Sequence, residues 1–293
     1  MDVSFELYKV FYYVARDLSF SSASSSLYIS QSAVSQSVKL LEEKMNCKLF
    51  IRNTKQVRLT MEGEMLFEYI SQAFNFIKAG ERRVSELRSL ESGEVRIGAS
   101  DTICKYYLLP YFKKFISLYP NINIQVINRT SPMCIELLNN GAVDVIVVNI
   151  PEKPDKNHNI KELTKIQDVF IAGNSFAHLK DKAIQLEELS GYPLLMLERN
   201  TITREFIDSY LKHRGISLTP EIELGSVDLL VELAKIGLGI SFVVRDYITK
   251  ELNAGEIFVL TIREEIPQRS LGIVTHRNIP VPLAAQKFVQ LFR

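Results

Sequence analysis

The chain lacks a long hydrophobic run, paired cysteines and any recognisable catalytic motif, and each absence removes a class of function. Its longest apolar runs, such as Val143 to Val148 interrupted by Asp144, fall far short of the roughly 20 residues that span a bilayer. No membrane-spanning helix is expected. The first twenty residues are broken by Asp2, Glu6, Lys9, Arg16 and Asp17, and they lack the ordered basic, apolar and small-residue segments of an export signal. The chain is therefore expected to stay in the cytoplasm, with no membrane partner. Cys47, Cys104 and Cys134 are odd in number and have no CxxC spacing, which argues against a disulfide framework and a zinc site alike. Four scattered histidines add no metal constellation, and no cofactor is expected. Serine-elbow, dinucleotide, P-loop and HExxH patterns are missing, and no acid–base pair or Cys–His dyad follows from the spacing. An α/β enzyme is thus the weaker reading of the chain.

Net charge is small as well. Thirty-five basic residues against 34 acidic ones leave +1, so the total proposes no charged partner. What the chain does have is size. At 293 residues it exceeds what one hydrophobic core usually supports, and two domains are expected. Splitting it at Ser92-Gly93 gives twelve Lys/Arg and eleven Asp/Glu in the first part and 23 of each in the second. Both halves are neutral, yet Lys44, Lys48, Arg52, Lys55 and Arg58 occur within fifteen residues that contain no acid, with Lys39 just upstream. Alone, such a run reads as a solvated face.

The segment before it changes that reading. Ser19 to Ser37 holds ten serines in nineteen residues, the composition of a flexible linker, but its apolar spacing disagrees. Phe20, Ala23 and Leu27, then Val34, Val38 and Leu41, make the stripes of two short amphipathic helices. A tight turn at Tyr28, Ile29 and Ser30 joins them, and Ser19 and Ser30 stand where they cap the two helices. On the second helix Gln31, Ser32, Ser35, Gln36 and Lys39 lie off the stripe, a short polar face that can approach base edges closely. Phe5, Val10 or Tyr13, and Val14 give a supporting first helix. From Asn53 to Leu59, Val57 and Leu59 alternate with Gln56 and Arg58 as in a short hairpin. This is a helix-turn-helix followed by a wing. In it Lys39, Arg52, Lys55 and Arg58 neutralise phosphates, while Gln31, Ser32, Ser35 and Gln36 carry base readout.

The stretch SFSSASSSLYISQSAVSQSVKLLEEKMNCKLFIRNTKQVRLTMEGE resembles the N-terminal signature of the LysR-type transcriptional regulators over nearly its whole length. The match includes Leu40-Leu41 with Glu42-Glu43, Leu49-Phe50-x-Arg52 and Leu59-Thr60-x-x-Gly63. Family members usually have Ala-Ala where this chain has Ala23-Ser24, and often Arg where Gln36 stands, so the recognition face here is less basic. The Gly usual after the recognition helix is Asn46, which also tolerates the left-handed conformation of a helix end.

From Thr60 to Leu90 there is no proline, and Leu66, Ile70, Ala73, Phe74, Ile77, Val84 and Leu87 hold a helical stripe. The stripe predicts one long helix whose apolar side a small domain cannot cover. The resemblance implies pairing with the same helix of a second subunit through Leu66, Ile70, Phe74 and Ile77, giving a homodimer or homotetramer. The alternative is a helix folded back on its own C-terminal domain.

After Gly93, β-branched runs at 95–99, 122–128 and 143–148 alternate with helices at 106–118 and 134–140, a βαβαβ pattern that predicts a parallel sheet. A second set follows, with chain crossings near 164 and 268. Open α/β sheets bind ligands beyond their C-terminal strand ends, at helix N-termini that favour anions. Ser100, Thr102, Thr130, Ser131, Asn149, Thr201, Thr203 and Ser226 fall at such ends; singly, each Ser or Thr reads as a helix cap. RIGAS at 96–100, LLPYFKKFISLYPNI at 108–122, GAVDVIVV from 141 and KIGLGISFV at 235–243 resemble the family's effector domain more loosely. Val244 stands where many members have proline.

The resemblance implies an α/β chain in three parts: an all-α winged helix-turn-helix at 1–59, a linker helix at 60–92, and an effector domain at 93–293 like periplasmic binding proteins. Lobe 1 is then 93–163 with 268–293, and lobe 2 is 164–267. The implied partners are double-stranded promoter DNA, a small anionic effector in the cleft, a second copy of the chain, and RNA polymerase. A thiol sensor is the alternative within the class, because Cys104 and Cys134 follow cleft loops where a helix N-terminus would lower a thiol pKa.

Overall fold

Serine hydroxyls decide where the first helices begin. Ser4, Ser19 and Ser30 sit in extended backbone and accept from the N–H groups of Glu6, Ser22 and Ala33, starting α1 (Phe5–Asp17), α2 (Phe20–Leu27) and α3 (Gln31–Met45). Left-handed residues end all three: Leu18 at φ 45°, Tyr28 at 56° and Asn46 at 51°. Phe11, Val14, Ala23, Val34, Val38 and Leu41 are fully buried where the helices meet. β1 (Phe50–Asn53) and β2 (Gln56–Leu59) then pair antiparallel as the wing, with Ile51 opposite Arg58. The computed structural model describes residues 3–53, 56–86 and 93–292, so Lys55 lies outside the described residues, as does the side chain of Arg52. Two compact units divide between Glu81 and Arg82.

The long helix, α4 (Met61–Glu86), begins on the wing. Thr60 donates its N–H to the Leu49 carbonyl at 3.0 Å and its hydroxyl to the Lys48 carbonyl at 2.6 Å, while that hydroxyl accepts from Gly63 N–H at 3.0 Å. Part of its apolar stripe is covered by the first unit itself. Leu66 and Ile70 pack on the core of the first unit, and Phe74 stacks on Tyr12 at 4.5 Å and on Phe5 at 5.6 Å. The expectation underestimated how much aromatic surface α1 offers. Of the four residues assigned to dimerisation, Ile77 alone is exposed, and Met61, Met65, Tyr69 and Phe76 are the other large apolar side chains that face outward between residues 61 and 77.

In the second unit, lobe 1 carries a five-stranded sheet in the order β4-β3-β5-β14-β6. Its parallel part is β3 (Gly93–Ala99), β4 (Ile122–Asn128) and β5 (Val145–Asn149). The intervening helices are α5, a single turn at Asp101–Ile103, α6 (Leu109–Leu118) and α7 (Ser131–Asn139). The chain leaves through β6 (His158–Ile166) and enters lobe 2, whose sheet has the order β10-β9-β11-β7-β12. That lobe comprises β7 (Asp168–Gly173), β8 (Ala183–Ile184), β9 (Leu194–Leu197), α8 (Ile202–Lys212), β10 (Ile222–Leu224), α9 (Val227–Lys235), β11 (Ile240–Val244), α10 (Thr249–Asn253), β12 (Ile257–Val259) and β13 (Thr261–Ile262). The return runs through β14 (Arg269–His276) to α11 (Leu283–Gln290). The sheets are mixed, where a parallel one was expected. β14 runs antiparallel to β5 and β6, and β7 antiparallel to β11 and β12, because strands entering from the other lobe run against the βαβ direction. No helix among the described residues is long and apolar enough to cross a membrane.

Candidate functional site

On α3 the buried stripe and the polar face separate cleanly. Val34, Val38 and Leu41 are fully buried, while Gln31, Ser32, Gln36 and Lys39 are exposed and Ser35 is half-buried. Ser32 Oγ lies 2.8 Å from the capping hydroxyl of Ser30, which orders the first turn. Ser35, Gln36 and Lys39 form one wall of a groove whose other wall, Lys48 and Phe50, leads into the wing. Arg58 is exposed on the wing, held by Gln56 Oε1, which accepts from its Nη2 at 2.8 Å and its Nε at 3.2 Å. The exposed polar face of α3 thus stands beside a hairpin that carries the exposed Arg58.

Glu42 fixes the wing to the helix, a role that local sequence patterns do not announce. Its carboxylate is 5% exposed and accepts from the N–H groups of Leu49 at 2.9 Å and Phe50 at 3.3 Å and from Lys48 Nζ at 2.8 Å. Lys48 is therefore tied to a buried acid. Burial disfavours the Glu42 charge, but these three donors outweigh it and hold the carboxyl below its ordinary range. The stability it contributes is present above the unfolded pKa, about 4.3, and is lost as pH falls through the lower folded value. Unfolding of the wild type by urea should become easier below about pH 4 in a way that Glu42→Gln does not reproduce. Equal acid sensitivity of the two proteins would remove Glu42 from this role.

Between the two lobes of the second unit lies a cavity of about 330 Å³. Ser100, Thr102, Thr130, Ser131 and Asn149 line it from lobe 1, and Thr201, Thr203, Val227, Val243 and Tyr247 from lobe 2. Ser226 does not line it. Its hydroxyl turns back to accept from Leu229 N–H at 3.3 Å as the cap of α9, and the neighbours Gly225 and Val227 reach the cavity instead. Ser100 and Thr201 also act as caps, accepting from Ile103 and Arg204 N–H at 3.3 Å. Ser131 Oγ accepts from Asn149 N–H at 3.4 Å. Thr130 is different, because it begins α7 without a side-chain capping bond, and its Oγ1 is buried with no hydrogen-bond partner, as is Asn149 Oδ1. Buried polar atoms are rarely left unpaired, so both require a partner from inside the cavity.

The family model for bacterial regulatory helix-turn-helix proteins of the lysR family matches residues 5–64, and that for the LysR substrate binding domain matches residues 88–293. The chain is a LysR-type transcriptional regulator. As such it is a DNA-binding protein with an effector-binding domain. A protein of Chlorokybus atmophyticus named a probable RuBisCO transcriptional regulator is 30% identical over 94% of this chain and 90% of its own length. Full-length CbnR, solved with its target DNA, is 18% identical over 98% of both chains with a TM-score of 0.66. The regulatory domain of CcmR from Synechocystis PCC6803, solved with 2-PG, is 20% identical and covers 69% of this chain and 96% of that one, with a TM-score of 0.62.

Two features of the regulator's effector domain depart from the sequence reading. The thiols of Cys104 and Cys134 are both pushed up to about 11. Burial is the main cause in each case, with the charge of Asp101 adding at Cys104, and it overrides any help from the helix N-termini. Burial thus favours the protonated thiol at both positions, which works against the thiol-sensor alternative. The second departure is a buried ion pair that the sequence reading missed. Arg269, the first residue of β14, donates to both carboxylate oxygens of Asp168, at 2.6 and 2.7 Å, and its Nη2 also reaches Thr203 Oγ1 at 3.2 Å. The two partners stand at the two chain crossings, 101 residues apart, a separation at which no local pattern operates.

Proposed function

We propose that this regulator acts in the cytoplasm, without enzymatic activity, by binding promoter DNA as a homodimer, which can assemble into a homotetramer, and by admitting a small anionic effector to the cavity between its lobes. The observation that carries the DNA part is the α3 face of exposed Gln31, Ser32, Gln36 and Lys39 with half-buried Ser35, joined to the wing through Glu42. Arg52, Lys55 and Arg58 extend the contact along phosphates. The outward Met61, Met65, Tyr69, Phe76 and Ile77 of α4 supply the apolar contact for a second copy. The effector shifts the population of DNA-binding arrangements, and with it contact to RNA polymerase.

For the ligand, the support is chemical. The N-termini of α7 and α8 meet the cavity, where unpaired N–H groups favour negative charge; the Thr130 hydroxyl can donate to an anionic oxygen, and Asn149 Oδ1 can accept from a hydroxyl or amide of the ligand. The 2-PG held by the related CcmR domain is the first compound to try. For DNA, four basic side chains per subunit give about eight phosphate contacts per dimer, so log K against log salt should have a slope of about −7. A slope shallower than about −3 would remove the wing and Lys39 from the interface.

A further inference from the structure

Lobe 1 and lobe 2 touch across the rim of the cavity through a cluster of four side chains. Its origin lies in Pro110. A proline inside a helix removes the hydrogen bond to the carbonyl four residues back and crowds that carbonyl, here the one of Tyr106. Between α5 and α6 the chain answers with a π-helical turn, Cys104–Leu108, in which Leu109 N–H bonds to the Cys104 carbonyl, five residues back. Such wide turns occur mostly singly inside helices and frequently at functional sites. This one carries Lys105 and Tyr106, and both reach lobe 2.

Tyr106 makes two contacts there. Its hydroxyl donates to Asp228 Oδ1 at 2.6 Å, and its ring stacks on Tyr247 with centroids 4.7 Å apart and planes inclined by 13°. Lys105 Nζ donates to Asp228 Oδ2 at 2.9 Å and lies 4.8 Å from the centre of the Tyr106 ring. Asp228 is the second residue of α9 and follows Val227, which lines the cavity; Tyr247 lines it as well. On the lobe 1 side, Ile103 lines the cavity immediately before the π-helical turn. The contact therefore borders the cavity from both lobes. The Lys105–Asp228 pair is about half exposed and by itself holds little. The short hydrogen bond to a charged acceptor and the parallel ring stack, both made by one residue, are the stronger links.

We propose that Tyr106, with Lys105, Asp228 and Tyr247, forms a latch across the rim of the effector cavity that governs how readily ligand enters and leaves. The proposal rests on reading the cavity as the effector site. With the latch closed, Tyr247 is held as part of the cavity wall by its stack on Tyr106; with it open, the two lobes separate about the crossings near Gln167 and Arg269. Ligand selectivity then includes a size limit imposed by closure, in addition to the polar groups inside.

Hydrogen exchange on the full-length protein tests this without needing the natural ligand. Tyr106→Ala is expected to speed exchange about 5-fold both around the substitution and across the gap, in the first turn of α9 and around Tyr247. Tyr106→Phe, which keeps the stack and loses the hydroxyl, should give a smaller rise in the same two lobe 2 segments, with an unchanged melting temperature as the check on folding. Asp228→Asn should loosen residues 101–108 in return. Using 2-PG as probe, its dissociation should accelerate by a similar factor in Tyr106→Ala. Exchange that rises only in lobe 1, next to the substituted residue, would overturn the latch. Failure of the wild type to bind 2-PG would count against the choice of ligand, while the exchange result still decides the latch.

Discussion

Replacing Arg269 by methionine is expected to destabilise the effector domain by about 3–5 kcal/mol, among the largest effects of any single substitution in the chain. The Asp168 carboxylate is 0% exposed and the Arg269 side chain 6%, so removing the cation strands a negative charge away from water. Thr203 Oγ1 loses its donor at the same time, and the guanidinium leaves the face of Phe206, whose ring centre is 5.3 Å from it. Urea unfolding followed by circular dichroism reads the loss. The double variant Asp168→Leu/Arg269→Met should recover most of it, because a buried ion pair replaced whole by apolar groups is often neutral. A single variant within about 1 kcal/mol of wild type would mean that the two crossings are held by something else. Because Thr203 faces the cavity, the same pair links the ligand's surroundings to the hinge between the lobes.

Gly63→Ala is expected to unfold or severely weaken the DNA-binding unit, against the usual benefit of removing glycine from a helix. A Cβ at Gly63 would stand 2.1 Å from the carbonyl oxygen of Leu49 and 3.0 Å from Leu59 Cδ2. Backbone cannot yield there, since Leu49 is tied to Glu42 through its N–H and to Thr60 through its carbonyl. The helix-propensity gain of about 1 kcal/mol is outweighed by an overpacking cost of about 3 kcal/mol or more. Gly80 is the internal control, because a Cβ there meets nothing within 4 Å and Gly80→Ala should stabilise by up to about 1 kcal/mol. Opposite signs for the two substitutions in the same helix, measured by thermal melting, are the expected result. Equal signs would contradict the seating of α4 on the wing.

Local chemistry made the first unit legible. Ser19 and Ser30 act as the caps their positions predict, and Asn46 adopts the left-handed end of α3. Tyr28 does the same at the turn without the sequence signalling it, since a tyrosine is not a residue that favours φ 56°. The stripe of α4 is helical as its spacing predicts, and Leu66, Ile70 and Phe74 pack on the first unit, because periodicity states that a face is buried and not what buries it. In the effector domain the βαβ order was visible, whereas the antiparallel strands at the lobe crossings were not, since pairing β14 between β5 and β6 joins residues over a hundred positions apart. Of the eight residues proposed for the cavity, seven line it and Ser226 does not. Tyr247, Glu42 and the Arg269–Asp168 pair had no signal in spacing, since each acts through a contact distant in sequence.

If α3 reads base sequence while the wing and Lys39 hold phosphate, selection from a pool of random duplexes separates the two roles. The wild-type protein should enrich one sequence containing two related half-sites separated by whole helical turns, as binding by a symmetric dimer requires. Gln31→Ala or Ser35→Ala should enrich a different or more degenerate sequence, whereas Lys39→Ala or Arg58→Ala should enrich the wild-type sequence with lower affinity throughout. No enrichment by the wild type, or an identical motif from Gln31→Ala and Ser35→Ala, would contradict the account.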